Sequence, residues 1–348
     1  MMHEARVKKV LWQTVSIIVC SLTLSFFFPT DTSYAAEGTA LSGSSADIVQ
    51  VKTTYTYDEM MEDISELTQM YPSVVSACSI GTTALGRSIP CVTVGNPDAP
   101  YRIMVQASIH AREYICTQVV MNMIETYAQR FVTGQNADMY SKVAFDVVPM
   151  ANPDGVSIVQ FGAASAANSP DTADFIKATG NISSWKANAM GVDLNRNFDI
   201  GWEAINQGVY APSYALYKGV SSCSEAETVA LETQAQSYPY AAYISYHMKG
   251  NIIYYDEPGN TAQNSALGTS VAKAIASASG YKMKNLKSCI SATGDVVQGG
   301  FTDWIQLVLN RPAVTVEIGS SLPPAAQPSA DDIYNSNLNT WAAISNLY

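Results

Sequence analysis

Arg102-Ile103-Met104-Val105-Gln106-Ala107-Ser108-Ile109-His110-Ala111-Arg112-Glu113-Tyr114 is the stretch that decides the fold. Its first part is mostly apolar with no strict alternation. That predicts a strand over Arg102–Ile109, buried on both faces. His110-Ala111-Arg112-Glu113, with three polar residues of four, ends the strand, and Ile115–Phe131 continues with apolar residues at helical spacing. A buried strand feeding directly into a helix is half of a βα unit.

The same alternation repeats outward. Val74–Ile80 and Ile89–Val94 read as short strands around the turn Gly81–Arg87. Val143–Pro149, Tyr240–Tyr246, Ile252–Tyr255 and Ala313–Ile318 read as further strands. Thr56-Tyr57-Asp58-Glu59 is a capping box, followed by Met60, Met61, Ile64, Leu67 and Met70 on one helical face. Ser224-Glu225-Ala226-Glu227 reads as a second capping box. Ala262–Ala278 reads as a helix stopped by Gly280, and Asp331–Leu347 as a closing helix. Strands and helices in this order predict an α/β fold with helices on both sheet faces, in one domain over 53–348.

The chain has 348 residues, 47% apolar and 14% charged, and a net charge of −11. Such apolar content excludes disorder, and the acidic surface repels phosphate backbones, so no nucleic-acid partner is expected. Residues 1–36 read as a secretory signal peptide, with a retained transmembrane anchor as the rival reading. Arg6, Lys8 and Lys9 form its basic end, Val10–Phe28 its apolar run, and Ser33-Tyr34-Ala35-Ala36 a small-residue cleavage site. The expected product is secreted or cell-wall associated, with no membrane attachment after cleavage, and monomeric. Residues 37–52, rich in Gly, Ser and Ala, read as a linker. After cleavage Cys78, Cys91, Cys116, Cys223 and Cys289 remain, an odd number without CxxC spacing. Cys78 and Cys91 flank the first turn and would oppose each other, as a disulfide or as two buried free thiols.

Cleavage also removes His3, leaving His110 and His247 as the only histidines. Each ends a predicted strand, and Glu317 is the penultimate residue of a third. Ligands of open α/β sheets bind beyond the carboxyl ends of strands. His110 and Glu113, three residues apart, point to one side of the strand-to-helix turn. With His247 they form a two-His, one-carboxylate set that suits zinc and leaves a position open. Glu317 is then the base for the attacking water. Arg112 is a candidate clamp for a carbonyl. Asn195 and Arg196 are a candidate carboxylate grip, because a guanidinium fork beside an amide fits a carboxylate. Lys186 and Lys249 are placed to meet an acidic substrate group.

His110-Ala111-Arg112-Glu113-Tyr114 resembles the zinc signature of the carboxypeptidase A family of metallopeptidases. So do Tyr71-Pro72, Ile80-Gly81 with Gly86-Arg87, Asn152-Pro153-Asp154-Gly155, Gly191–Phe198, Ser224–Thr228, His247 and Thr315-Val316-Glu317, in order over about 53–347. The resemblance implies a mixed, mostly eight-stranded sheet flanked by helices. It implies one zinc on His110, Glu113 and His247, with Glu317 as the base. Arg112 would polarise the scissile carbonyl or hold substrate, and Asn195 and Arg196 would bind a terminal carboxylate. Three departures stand out. Lys186 follows Trp185 where digestive members carry an oxyanion-binding Arg. No Tyr lies between Tyr281 and Tyr334, where those members carry a mobile cap. Thr302, at the position that lines the specificity pocket, is neither apolar nor acidic.

The first expectation is therefore a zinc metallocarboxypeptidase that trims C-terminal residues from peptides. The second is the same chemistry on γ-D-glutamyl–diamino acid bonds of cell-wall peptides, which Lys186 and the Gly299–Trp304 stretch resemble. The third is a non-catalytic peptide-binding protein on this fold, against which stands the presence of all four site residues, His110, Glu113, His247 and Glu317.

Overall fold

Eight strands hydrogen-bond into one mixed sheet: β1 (Val75–Thr82), β2 (Ser88–Val94), β3 (Tyr101–Ala107), β4 (Val143–Val148), β5 (Ala242–His247), β6 (Ile252–Tyr255), β7 (Lys282–Asn285) and β8 (Ala313–Glu317). Their spatial order is β1-β2-β4-β3-β5-β8-β6-β7. The computed structural model describes residues 47–348 apart from 51, 53, 136, 289–298 and 324–329. The expected signal peptide, most of the 37–52 segment and Cys289 lie outside the described residues. Among those described, no helix is long and apolar enough to cross a membrane.

The middle strands β4, β3, β5 and β8 run parallel. β4 and β5 are buried along their whole length, which explains why they read as nearly continuous apolar runs. Period-two alternation divides their side chains. Ile103, Val105, Ile244, Val314 and Val316 pack on one face with α2 (Ile115–Val132), α7 (Ala262–Ser279) and α10 (Thr340–Ser345). Met104 and Tyr243 face the other way, onto Leu231 of α6 (Ala226–Ser237) and Phe301 and Trp304 of α8 (Phe301–Leu307). The remaining helices are α1 (Tyr57–Met70), α3 (Ala137–Tyr140), α4 (Pro153–Phe161), α5 (Pro170–Thr179) and α9 (Ala330–Asn337). Helices therefore cover both faces, as expected.

The Thr56 capping box is complete: its hydroxyl accepts from the Glu59 N–H and the Glu59 carboxylate accepts from the Thr56 N–H. Gly280 closes α7 in the left-handed region. Two expectations about the helices are corrected. The closing helix is two helices, because the chain leaves helical geometry at Asn339. Ser224 caps nothing. Glu225 sits at the cap, its N–H is taken by the Asn197 side chain, and the Ser224 hydroxyl donates to Glu225 instead. Cys78 and Cys91 are direct partners in the β1–β2 register, and both are free thiols; Cys91 is buried as expected, but Cys78 is exposed on the edge strand β1. The end of the expected linker is tied down: the Glu125 carboxylate accepts the N–H groups of Ile48 and Val49, and Val49 is buried.

Candidate metal centre and substrate-binding loop

β3, β5 and β8 end side by side. Ala107 pairs with Tyr246, and His247 pairs with Glu317. Beyond β3 the backbone turns through Ser108, whose φ of 53° lies in the left-handed region. The Ser108 hydroxyl holds this turn by accepting the Thr117 N–H at the start of α2. The turn carries His110 into a short helical turn, Ala111–Glu113, and so swings Glu113 back under it.

The three predicted ligands meet. His110 Nδ1 lies 3.0 Å from Glu113 Oε1, His247 Nδ1 lies 3.0 Å from Glu113 Oε2, and the two Nδ1 atoms are 3.2 Å apart. Tetrahedral zinc with nitrogen and oxygen ligands requires donor separations of about 3.3 Å. The donor set fits the metal within a few tenths of an ångström, and all three side chains are buried. Burial opposes ionisation of Glu113, but His110 and His247 overcome it and hold the carboxyl well below the usual range. Glu113 also accepts the Met248 N–H at 3.1 Å.

Asp193 completes this arrangement, and its role was not read from the sequence. It is wholly buried, with Oδ1 3.4 Å from His110 Nε2. His110 thus presents Nδ1 to the centre while its other nitrogen faces a carboxylate, the usual way a protein fixes a ligating imidazole. Burial would raise the Asp193 carboxyl, but His110 first, then Lys186 and Arg196, hold it well below the ordinary range. The only sequence signal was an Asp two residues before Asn195.

Glu317 stands beside the centre at the end of β8. Burial pushes its carboxyl up to about 7; His247 opposes this, Glu113 adds to it, and Lys186 and Arg112 oppose it. Both predicted cations are therefore felt at Glu317. The Arg112 Nε is buried with no hydrogen-bond partner, so the guanidinium has a donor to spare. Lys186 is positioned by its backbone: its N–H donates to Tyr214 O, and its carbonyl accepts the Ala111 N–H. Asn152 ties this loop to the metal strand, donating to the carbonyls of both Ile109 and Ala187 at 3.1 Å. Lys249 is exposed just past β5.

Asn195 and Arg196 sit in the short helical turn Leu194–Arg196. Asn195 Oδ1 accepts the Phe301 N–H at 3.0 Å, and Arg196 donates to Asn195 O. Gly299, at φ +67°, lies against the Arg196 backbone; a Cβ there would come within 3.0 Å of Arg196 O and 2.6 Å of Ile205. The glycine lets α8 start directly under the loop. Thr302, one residue on, pairs its hydroxyl with that of Thr315 at 3.1 Å.

The sequence profile described as zinc carboxypeptidase matches residues 60–343. The chain belongs to the zinc carboxypeptidase family. It is accordingly a hydrolase of peptide bonds, from a zinc-dependent family. It is 30% identical over 304 residues to a γ-D-glutamyl-L-diamino acid endopeptidase of Lysinibacillus sphaericus, covering 85% of this chain and 73% of that one. It is 26% identical to carboxypeptidase B of Astacus astacus, covering 71% of this chain and 80% of that one. The fold superposes on the carboxypeptidase A of Helicoverpa armigera at a TM-score of 0.65, with 20% identity, covering 87% and 75% of the two chains. The expected sheet and helix arrangement is that of the family.

Proposed function

We propose that the chain is an exported zinc peptidase that hydrolyses the peptide bond next to a substrate's terminal carboxylate. The observation that carries this reading is the meeting of His110, Glu113 and His247 at one buried point beside Glu317. Zinc held there would supply Lewis-acid polarisation and acidify water. Glu317, adjacent and kept basic near neutrality, would hold the proton of the attacking water and deliver it to the leaving amine. Arg112 would hold the scissile carbonyl. Lys186 would place a compact positive charge where negative charge develops on that oxygen, without the fork of an arginine. Asn195 and Arg196 would grip the terminal carboxylate. The signal-like leader supports export.

A second reading of the substrate is favoured by particular observations. The pocket residue Thr302 meets another hydroxyl rather than an apolar wall, and the Lysinibacillus relative is named for the γ-D-glutamyl–diamino acid bond. Both support cell-wall stem peptides as the substrate. The test is zinc-loaded protein on two substrate sets, blocked dipeptides and γ-D-glutamyl-diaminopimelate peptides, with products read by mass spectrometry. Glu317→Gln should keep about one zinc per chain and lose roughly 10²–10⁴-fold in kcat. Undiminished turnover in that variant would remove Glu317 from the reaction. Cleavage of the γ-D-glutamyl set alone would decide for the second reading.

A further inference from the structure

A row of polar side chains leads away from the carboxylate loop along one face of the sheet. Asn195 touches the Phe301 N–H, Thr302 follows, and Thr302 meets Thr315. Thr315 is the register partner of Tyr254 on β6, and Tyr254 is the register partner of Lys284 on β7. Register partners point to the same face, and Thr315 is two residues from Glu317, so all of these share the catalytic face. The neighbouring residues Val314, Val316, Ile253 and Met283 pack on the opposite side. Lys284 lies two strand spacings from Thr315, about 10 Å, and its stem leans toward Tyr254 on the strand between them. Its ammonium sits 5.4 Å from the centre of the Tyr254 ring. Among the described residues no carboxylate forms an ion pair with it.

We propose that this row is the wall of the pocket for the substrate's terminal residue, and that Lys284 binds a carboxylate at the far end of that residue's side chain. The hydroxyls of Thr302 and Thr315 would accommodate a polar stem, and the lysine would select a dicarboxylic residue such as a diamino diacid. The assignment rests on the proposed peptidase site, because it takes the Asn195–Arg196 end as the anchor of the terminal carboxylate. Lys282 provides a matched comparison. It lies on the same strand and face with the same charge, but in the row of Ile252 and Glu317.

Lysine and diaminopimelate differ by one carboxylate on the terminal side-chain carbon, so paired substrates isolate the interaction. Each would be presented as an α-linked and as a γ-D-glutamyl peptide. The wild type should favour diaminopimelate in kcat/KM, and Lys284→Gln should cut that preference at least about tenfold, as for one lost charge-assisted hydrogen bond. Lys282→Gln should change it less than about threefold. An unmoved preference in Lys284→Gln, or an equal loss in Lys282→Gln, would overturn the assignment. Calorimetry with free diaminopimelate and free lysine separates the two levels of the argument. If neither peptide is cut but Lys284-dependent binding of diaminopimelate persists, the peptidase reading fails and the pocket stands. If the wild type shows no binding preference and no kinetic preference, the pocket assignment fails.

Discussion

Asp193 decides which nitrogen of His110 faces the metal centre. Its Oδ2 is committed to the Leu216 N–H, leaving Oδ1 for His110 Nε2. Asn at this position would have to turn its NH₂ toward one of two donors, and both cannot be satisfied. Asp193→Asn should therefore weaken zinc binding about 10–100-fold while leaving the fold intact. Chelator competition would measure this, with circular dichroism as the check on folding; unchanged affinity would show that His110 needs no such partner. The ligands themselves were legible in the sequence because only two histidines remain after the leader and both end apolar strands. Asp193 was not, because its effect passes through a contact made only when two distant loops meet. The same holds for Asn152, whose motif was visible while its two carbonyl partners were not.

At the scale of elements, legibility followed burial. β3, β4, β5 and β8 are wholly or largely buried, and their apolar runs marked them closely. β7 reads Lys-Met-Lys-Asn with alternate residues exposed, too polar and too short to stand out, so the sheet edge that bears Lys284 was missed. The break between α9 and α10 was missed because the apolar spacing continues through it. The attachment of residues 48–50 was hidden for another reason: a Gly/Ser-rich composition suggested a free linker, while the grip comes from Glu125 on α2. Both oxygens of Glu125 accept backbone N–H groups at 2.9 Å, and Gln118 and Asn122 donate to Gln50 O and Val49 O. Glu125→Ala should release this strap, with a cost on the order of 2 kcal/mol for two charge-assisted bonds. Limited proteolysis should then cut before residue 54 several-fold faster, and cutting at the wild-type rate would mean that Val49 burial and the Gln118 and Asn122 bonds hold the segment without Glu125.

At the scale of the molecule, one buried acidic cluster joins parts that are far apart in sequence. Asp154 at the start of α4 binds Arg87 and the Leu85 N–H of the first hairpin. Glu225 and Glu227 at the start of α6 share the Asn188 amide. Glu227 is the strained member, because it is almost wholly buried and one of its oxygens has no hydrogen-bond partner. Burial, reinforced by Asp154 and Glu225, pushes its carboxyl up to about 7. A carboxyl with a raised folded pKa holds its proton more tightly in the native state than in the unfolded chain. Its ionisation therefore costs nothing below the unfolded value near 4.5. Stability falls as pH rises from there to about 7, then levels off. The cost is on the order of 3 kcal/mol above pH 8. Glu227→Gln cannot ionise and escapes that loss. Denaturant unfolding at pH 5 and pH 8 should show the variant gaining much more stability at the higher pH. A gain of equal size at both would trace the effect to the new amide's hydrogen bonds, and the cluster would then impose no pH limit on the fold.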